Sequence, residues 1–379
     1  MKKYILLISL IFTLLIILIP TSCKLDINEP SSLRFSVELT VVDTSLSDSD
    51  SLVALAEIIM QSITYGDKFE TVTNEEGKAV IHNLLPDSYN ILASGNRLEG
   101  TDIILINGQM QDTSLYIDNN DTLNLKLIAQ TSKSSALLIS EIYYSGAKSI
   151  IPQYFHDQFT EIYNNSNQTL YLDSLLIADV ESGFINDSLI HATHACMFPG
   201  TGNDYPIQPG EFIIIAQDAI DHSIYPVNTV DLTEANFEYY LADKGDVDNP
   251  NAANMLNIHH KYGNDFLYSV FSNAIVIMDV KNPYEYGYDE FNRILLHKNA
   301  VIDGVEYRDN PSELDMKRLD ASIDAGLAGG IPSYSSQSIE RYIDRYEDGR
   351  MILMDNNNSS LDFHVNKPPT PGWVEEATQ

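Results

Sequence analysis

Cysteine is nearly absent from this chain, with Cys23 and Cys196 the two among 379 residues. A disulfide framework is therefore excluded, and the fold must be held by its cores. Basic residues are also scarce, 22 against 54 acids, for a net charge of −32. A field of that sign repels phosphate backbones and excludes nucleic acid as a partner, and it gives no grip on anionic head groups. After the first twenty residues no apolar run reaches membrane-spanning length, since Glu211–Ala216 and Ala274–Met278 are strand-sized. The nucleophile elbow Gly-x-Ser-x-Gly, the zinc motif His-Glu-x-x-His and a phosphate-cradling glycine loop are all missing. The expectation is a noncatalytic protein. Glycoside hydrolysis, which needs only two carboxylates, remains open through the inserted segments described below.

What is present begins with an export signal. Met1-Lys2-Lys3 precedes an apolar run from Tyr4 to Ile19, and Pro20-Thr21-Ser22 leads to Cys23. A positive end, a short apolar stretch and small residues before a Cys resemble the box cut by a lipoprotein signal peptidase. Residues 1–22 then form the signal peptide, Cys23 carries the lipid, and residues 23–32 are a polar tether. Removing the signal takes two lysines and no acid, leaving a net charge of about −34. Lys24, Asp26 and Glu29 just after the Cys resemble the surface-export signal of Bacteroidota lipoproteins. The expected location is the outer membrane, facing outward, with the lipid on Cys23 as the anchor. Cys196 is then left without a disulfide partner.

Alternation identifies strands. Phe35, Val37, Leu39 and Val41 interleave with Ser36, Glu38 and Thr40, the period of a half-buried strand. Leu123, Leu125 and Leu127 repeat the pattern, and Asn74-Glu75-Glu76-Gly77 offers a turn. Short strands at this spacing predict an antiparallel sandwich over residues 33–133. The string from Gly77 through Leu84-Leu85-Pro86-Asp87-Ser88-Tyr89 resembles the prealbumin-like module attached to carboxypeptidases and to many Bacteroidota surface proteins, with Ser88 where that family has Gly. That resemblance implies a seven-stranded spacer without catalytic residues.

Thr131–Ser135 is a polar break. Beyond it come Ile139-Ser140-Glu141-Ile142, Glu161-Ile162-Tyr163-Asn164, Pro209-Gly210 before a hydrophobic strand, Ser338-Ile339-Glu340-Arg341 and Pro369-Thr370-Pro371-Gly372. Their order resembles the lamin-tail immunoglobulin-like domain as bacteria use it. It implies that residues 136–379 are a second sandwich, and the whole chain an all-β protein of two sandwich domains. The pairing resembles a family of Bacteroidota lipoproteins. That company implies an accessory or binding subunit of an envelope complex, with a TonB-dependent outer-membrane β-barrel transporter as its partner. A free-standing adhesive surface protein is the alternative. Three stretches exceed what such a sandwich needs: Asp179–Pro206, Asp218–Asn273 and about Asn310–Tyr334. Long inserted loops on a rigid frame are where binding is placed.

Within these stretches several groups stand out. Asp243, Asp246 and Asp248 offer hard oxygens for calcium, the one metal the sequence points to, against the plainer reading of a hydrogen-bonded turn. His191, His194 and Cys196 lie within six residues, and His259-His260 follow later, but nothing in the sequence brings the two segments together. The chain has 22 tyrosines against one tryptophan. Tyr239, Tyr240, Tyr284, Tyr286 and Tyr288 are the expected binding surface, since Tyr joins a flat apolar body to a hydroxyl. Ser51, Thr122, Ser174 and Ser188 each follow an Asp and precede a Leu, the acceptor triplet for O-glycosylation in Bacteroidota.

Overall fold

The computed structural model describes residues 34–46, 51–100, 102–116, 121–148, 154–263, 266 and 268–374. The signal, Cys23 and the tether lie outside them. The fold is all-β, with no helix among the described residues long and apolar enough to cross a membrane.

The first unit is a single seven-stranded sheet of β1 (Phe35–Asp43), β2 (Glu57–Ser62), β3 (Lys68–Val72), β4 (Lys78–Leu84), β5 (Asp87–Glu99), β6 (Asp102–Leu115) and β7 (Thr122–Lys133). Its order is β3-β2-β5-β6-β7-β1-β4. The end strands β3 and β4 are joined by the Asn74–Gly77 turn, where the Gly77 backbone has φ of +66°. The sheet therefore rolls over itself around one core that includes Val37, Leu39, Ile58, Met60, Ile81, Ile91 and Leu127. The alternation read from β1 holds, with Phe35, Val37, Leu39 and Val41 all buried. The expectation of purely antiparallel pairing does not hold: β1 runs parallel to β7 from Ser36 to Asp43. A crossover pairing of the first strand with the last leaves no local sequence mark.

The second unit packs two sheets face to face. One carries the strands Leu137–Tyr143, Phe159–Asn164, Phe212–Ala216, Ser338–Arg341 and Phe363–Asn366. The other carries Leu176–Asp179, His194–Met197, Leu256–His260, Ser272–Met278 and Val301–Arg308. Ile139, Ile142, Ile162, Ile177, Ile275, Ile277 and Ile339 meet between them.

Charged groups are buried inside this frame. Arg341 is 1% exposed, on the first sheet, and its guanidinium donates to both carboxylate oxygens of Asp303 on the second sheet at 3.1 Å. It also donates to the Ile139 and Met354 carbonyls at 2.8 Å and to Asp362 at 3.3 Å, with Asp355 at 3.7 Å. The segment held this way, residues 354–362, docks the first unit. The Asn357 and Asn358 amides donate to Ser132 and Ser94 at 2.7 Å, and Asn107 donates to the Asn356 carbonyl at 3.0 Å. Leu92, Leu314 and Leu327 form a small apolar seat beside these bonds.

A second buried set is a row of carboxylates, with His364 Nε2 3.4 Å from one of them, Glu340. Glu340, Glu141 and Glu161 stand opposite one another on three neighbouring strands, all at 0% exposure. The C-terminal strap covers them: Thr370 donates its N–H to Glu141 at 3.1 Å and its hydroxyl to Glu340 at 2.6 Å, and the Gly372 N–H donates to Glu161. Burial and the neighbouring carboxylates push Glu141 well up. Burial also pushes Glu161 up to about 8 despite the Gly372 and Ser140 hydrogen bonds.

Burial raises Asp303 to about 6 and Asp362 to about 7, even with Arg341 opposing it. These folded values lie above the ordinary 3.8, so the folded state holds more protons than the unfolded one between about pH 4 and pH 7, and stability falls as pH rises across that window. Arg341→Leu strips the cation from three carboxylates and is expected to cost about 3–5 kcal/mol at pH 8. The loss should be smaller at pH 5, where Asp303 and Asp362 are neutral, and urea melting at the two pH values measures both.

A candidate binding cleft at one end of the second sheet

The antiparallel order of the second sheet brings the end of Leu176–Asp179, the start of His194–Met197, the start of Ser272–Met278 and the end of Val301–Arg308 to the same side. An open cleft of about 590 Å³ lies there. Each of the three inserted stretches supplies part of its wall: Asp179, Glu181 and His194 come from the first, Tyr262 and Phe271 from the second, and Arg318 from the third.

Each wall is fixed from behind. In the first, Asp179 Oδ1 accepts the N–H groups of Thr193 at 2.7 Å and His194 at 2.9 Å, and its other oxygen accepts the Thr193 hydroxyl and faces His194 Nδ1 at 3.1 Å. His194 Nε2 lies 3.2 Å from the Tyr262 carbonyl, which joins the first stretch to the second. In the second, Gln158 bonds both the N–H and the carbonyl of Tyr268 at 3.1 Å, and Tyr307 donates to the Ser269 carbonyl at 2.8 Å. In the third, the buried Lys317 ammonium lies 3.2 Å from Glu306, and Glu306 accepts the N–H groups of Arg318 and Leu319. The Arg318 guanidinium then reaches Asn273 at 2.9 Å and Ser272 at 3.4 Å across the cleft floor.

The electrostatics are those of a held ion pair. Burial raises Asp179, but the His194 and Thr193 hydrogen bonds outweigh it and its acidity is strengthened. Burial lowers His194, but the bond and charge of Asp179 reverse this and the imidazole rises above its ordinary value. With Nδ1 on a carboxylate and Nε2 on a carbonyl, the ring has no nitrogen left to serve as a general base. Thr193, the hydroxyl beside it, is committed to Asp179. The arrangement suits binding more than proton transfer.

The residues singled out from sequence are distributed unevenly around this cleft. His194 belongs to it. His191 instead bonds Asp289 at 2.8 Å and stacks on Phe184 at 3.7 Å. Cys196 is in the core, where burial pushes its thiol up. The two histidine segments that looked unrelated are neighbouring strands, with His194 opposite His260 and Ala195 opposite His259. Asp243, Asp246 and Asp248 are not brought together: Asp246 accepts the N–H groups of Leu241 and Val247, Asp248 accepts the Asn254 amide, and Asp243 lies 3.8 Å from Lys244. Among the described residues no three metal-ligating side chains converge.

Two expectations are corrected. Tyr239 is 1% exposed, stacked on Phe266 at 4.3 Å with its hydroxyl 2.9 Å from that of Tyr268, so it is core and not surface. Tyr240 is half-buried beside it. Ser51 is buried rather than presented on the surface, and its carbonyl accepts the Asp43 N–H at 2.7 Å. Thr122, Ser174 and Ser188 are exposed. Tyr284, Tyr286 and Tyr288 stand about half exposed on a turn beside the strand Leu256–His260, Tyr288 against His259 at 5.1 Å and Tyr286 against His297 at 5.9 Å. Phe271, Tyr262 and Arg318 stand in no sequence motif. The signal that was available is that three separate long insertions follow strand ends on one side of a sheet.

Asp179→Asn is the test of this frame. The raised His194 contributes stability that is complete below about pH 6.5 and is lost as pH rises through its folded value, while the strengthened Asp179 contributes above pH 3.8 and loses it on acidification. The variant should lose about 3–5 kcal/mol near pH 6. An NMR titration should show the His194 imidazole falling back toward or below its ordinary value.

Comparison with known proteins agrees with the fold. Residues 208–370 match the family described as "Protein of unknown function (DUF4876)". A crystal structure of a DUF4876 family protein from Bacteroides thetaiotaomicron superposes with a TM-score of 0.56 at 24% identity, over 87% of this chain and 94% of that one. Among curated proteins none matches. The matched stretch contains Tyr262, Phe271 and Arg318 but begins after Asp179 and His194.

Proposed function

We propose that this chain is a noncatalytic binding lipoprotein, anchored in the outer membrane by lipid on Cys23 and facing outward, that serves an envelope complex. In this reading the rolled first sheet is a prealbumin-like spacer. The second unit is a lamin-tail-like sandwich whose insertions carry the binding site. The complex it serves is that of a TonB-dependent β-barrel transporter. The observation that carries the proposal is the convergence of three insertions on one preorganised cleft, fixed by buried polar groups and open to solvent. Rigid walls lower the ordering cost of binding. The engaged nitrogens of His194 and the buried thiol of Cys196 favour binding over covalent or acid–base chemistry.

The test is a mild-detergent pull-down of the tagged full-length lipoprotein from its own outer membrane, read by mass spectrometry. A stoichiometric β-barrel partner is the expected result. Recovery of the lipoprotein alone would contradict the accessory role and leave the adhesive alternative.

A further inference from the structure

Resting on that binding reading, the lining of the cleft assigns its ligand class: we propose that it holds a neutral saccharide. Two aromatic rings stand out into solvent at its rim, Tyr262 at 58% and Phe271 at 56% exposure. Both are seated by their backbones, Tyr262 through its carbonyl on His194 and Phe271 through its N–H on Ser269 and its carbonyl on Asp309. With their backbones fixed, the two exposed rings offer flat apolar faces of the kind that the C–H face of a pyranose lies against, one side of the Tyr262 ring carrying the Lys261 ammonium at 4.7 Å from its centroid.

Between the rings the floor is polar. Arg318 has five N–H donors and directs two nitrogens at Asn273 and Ser272, each of which carries a second N–H, while its Nε is buried without a hydrogen-bond partner. Asn273 keeps its amide nitrogen, and Glu181, which accepts the Ser182 N–H at 2.8 Å and lies 3.9 Å from Arg293, adds a carboxylate to the wall. Planar donors and acceptors beside an aromatic face match vicinal hydroxyls, which both donate and accept. A net charge of −32 turns away polyanions, and the Arg318 guanidinium in the lining opposes a cation, which leaves a neutral ligand.

A peptide is the competing occupant, and the topology disfavours it. The strands that end at the cleft, Leu176–Asp179, His194–Met197 and Ser272–Met278, each have partners on both sides. No free edge is therefore offered there for an added strand. Val180 and Val270 are the aliphatic side chains of the lining, too few for a row of apolar pockets.

The test is calorimetric titration of the full-length protein in detergent with maltotriose, cellotriose, mannotriose, xylotriose and N,N′,N″-triacetylchitotriose. At least one should bind, and Phe271→Ala and Tyr262→Ala should each weaken it about tenfold or more, the loss of one stacking face. Tyr116→Ala, on the first unit, should leave binding unchanged. Both rim rings are exposed, so melting temperatures should stay near that of the parent, and the two variants check each other should one fold poorly. Binding by none of the five sugars, or binding indifferent to both rim variants, overturns the proposal. If the membrane pull-down still yields a barrel and Phe271→Ala releases it without any sugar binding, the cleft takes a protein segment: the saccharide assignment fails while the accessory role stands.

Discussion

The guanidinium of Arg341 is the point on which the second unit depends. From the strand next to the edge of one sheet it reaches Asp303 on the other, the carbonyl of Ile139 on a neighbouring strand, and the loop that docks the first unit. A charge so deeply buried is tolerable only because each of its directions ends on an acceptor, and the acceptors come from three separate stretches of chain. Burial, with the neighbouring Asp355 charge added, outweighs Arg341, which is why Asp303 and Asp362 hold their protons to higher pH than ordinary aspartates. From Asp303 the same strand runs on to Arg308, and the loop that follows returns Arg318 to the cleft. A strand advances about 3.3 Å per residue, so the hub and the cleft stand some 17 Å apart on one rigid element.

The glutamate row gives physical content to the short motifs read along the sequence. Ile-Ser-Glu-Ile, Glu-Ile-Tyr-Asn and Ser-Ile-Glu-Arg looked like independent strand signatures. In the structure their glutamates, Glu141, Glu161 and Glu340, occupy one cross-strand line, and the Pro-Thr-Pro-Gly strap brings Thr370 and Gly372 to cap it. Carboxylates in the middle of apolar strands were legible as a pattern because the row can be built only from those positions in that register. Their burial was not legible, since a glutamate on a strand is ordinarily a solvent-facing residue.

Local features were read well for the same reason that long-range ones were not. The alternation of β1 depends on neighbours in sequence and stands where it was expected. The parallel pairing of β1 with β7, the seating of His194 against His260 and the convergence of three insertions depend on which strands lie side by side. Tyr239 illustrates the limit: it was grouped with Tyr284 by residue type, and only the packing of Phe266 and Tyr268 around it separates a core ring from a surface one. Phe271 shows the reverse, an apolar residue in an insertion that the fold leaves in water.

What unites these observations is a cleft prepared in advance: insertions locked to strands by Asp179, Gln158 and Glu306 rather than loops that order on contact. Amide hydrogen exchange on the ligand-free full chain tests this most directly. The account predicts that the backbone N–H groups of Thr193, His194, Tyr268, Arg318 and Leu319, each donated to one of those three side chains, exchange as slowly as the core strands that carry them. Exchange of these amides at the rate of open loops, with the strands still protected, would contradict it and return the insertions to segments that take shape only when a partner arrives.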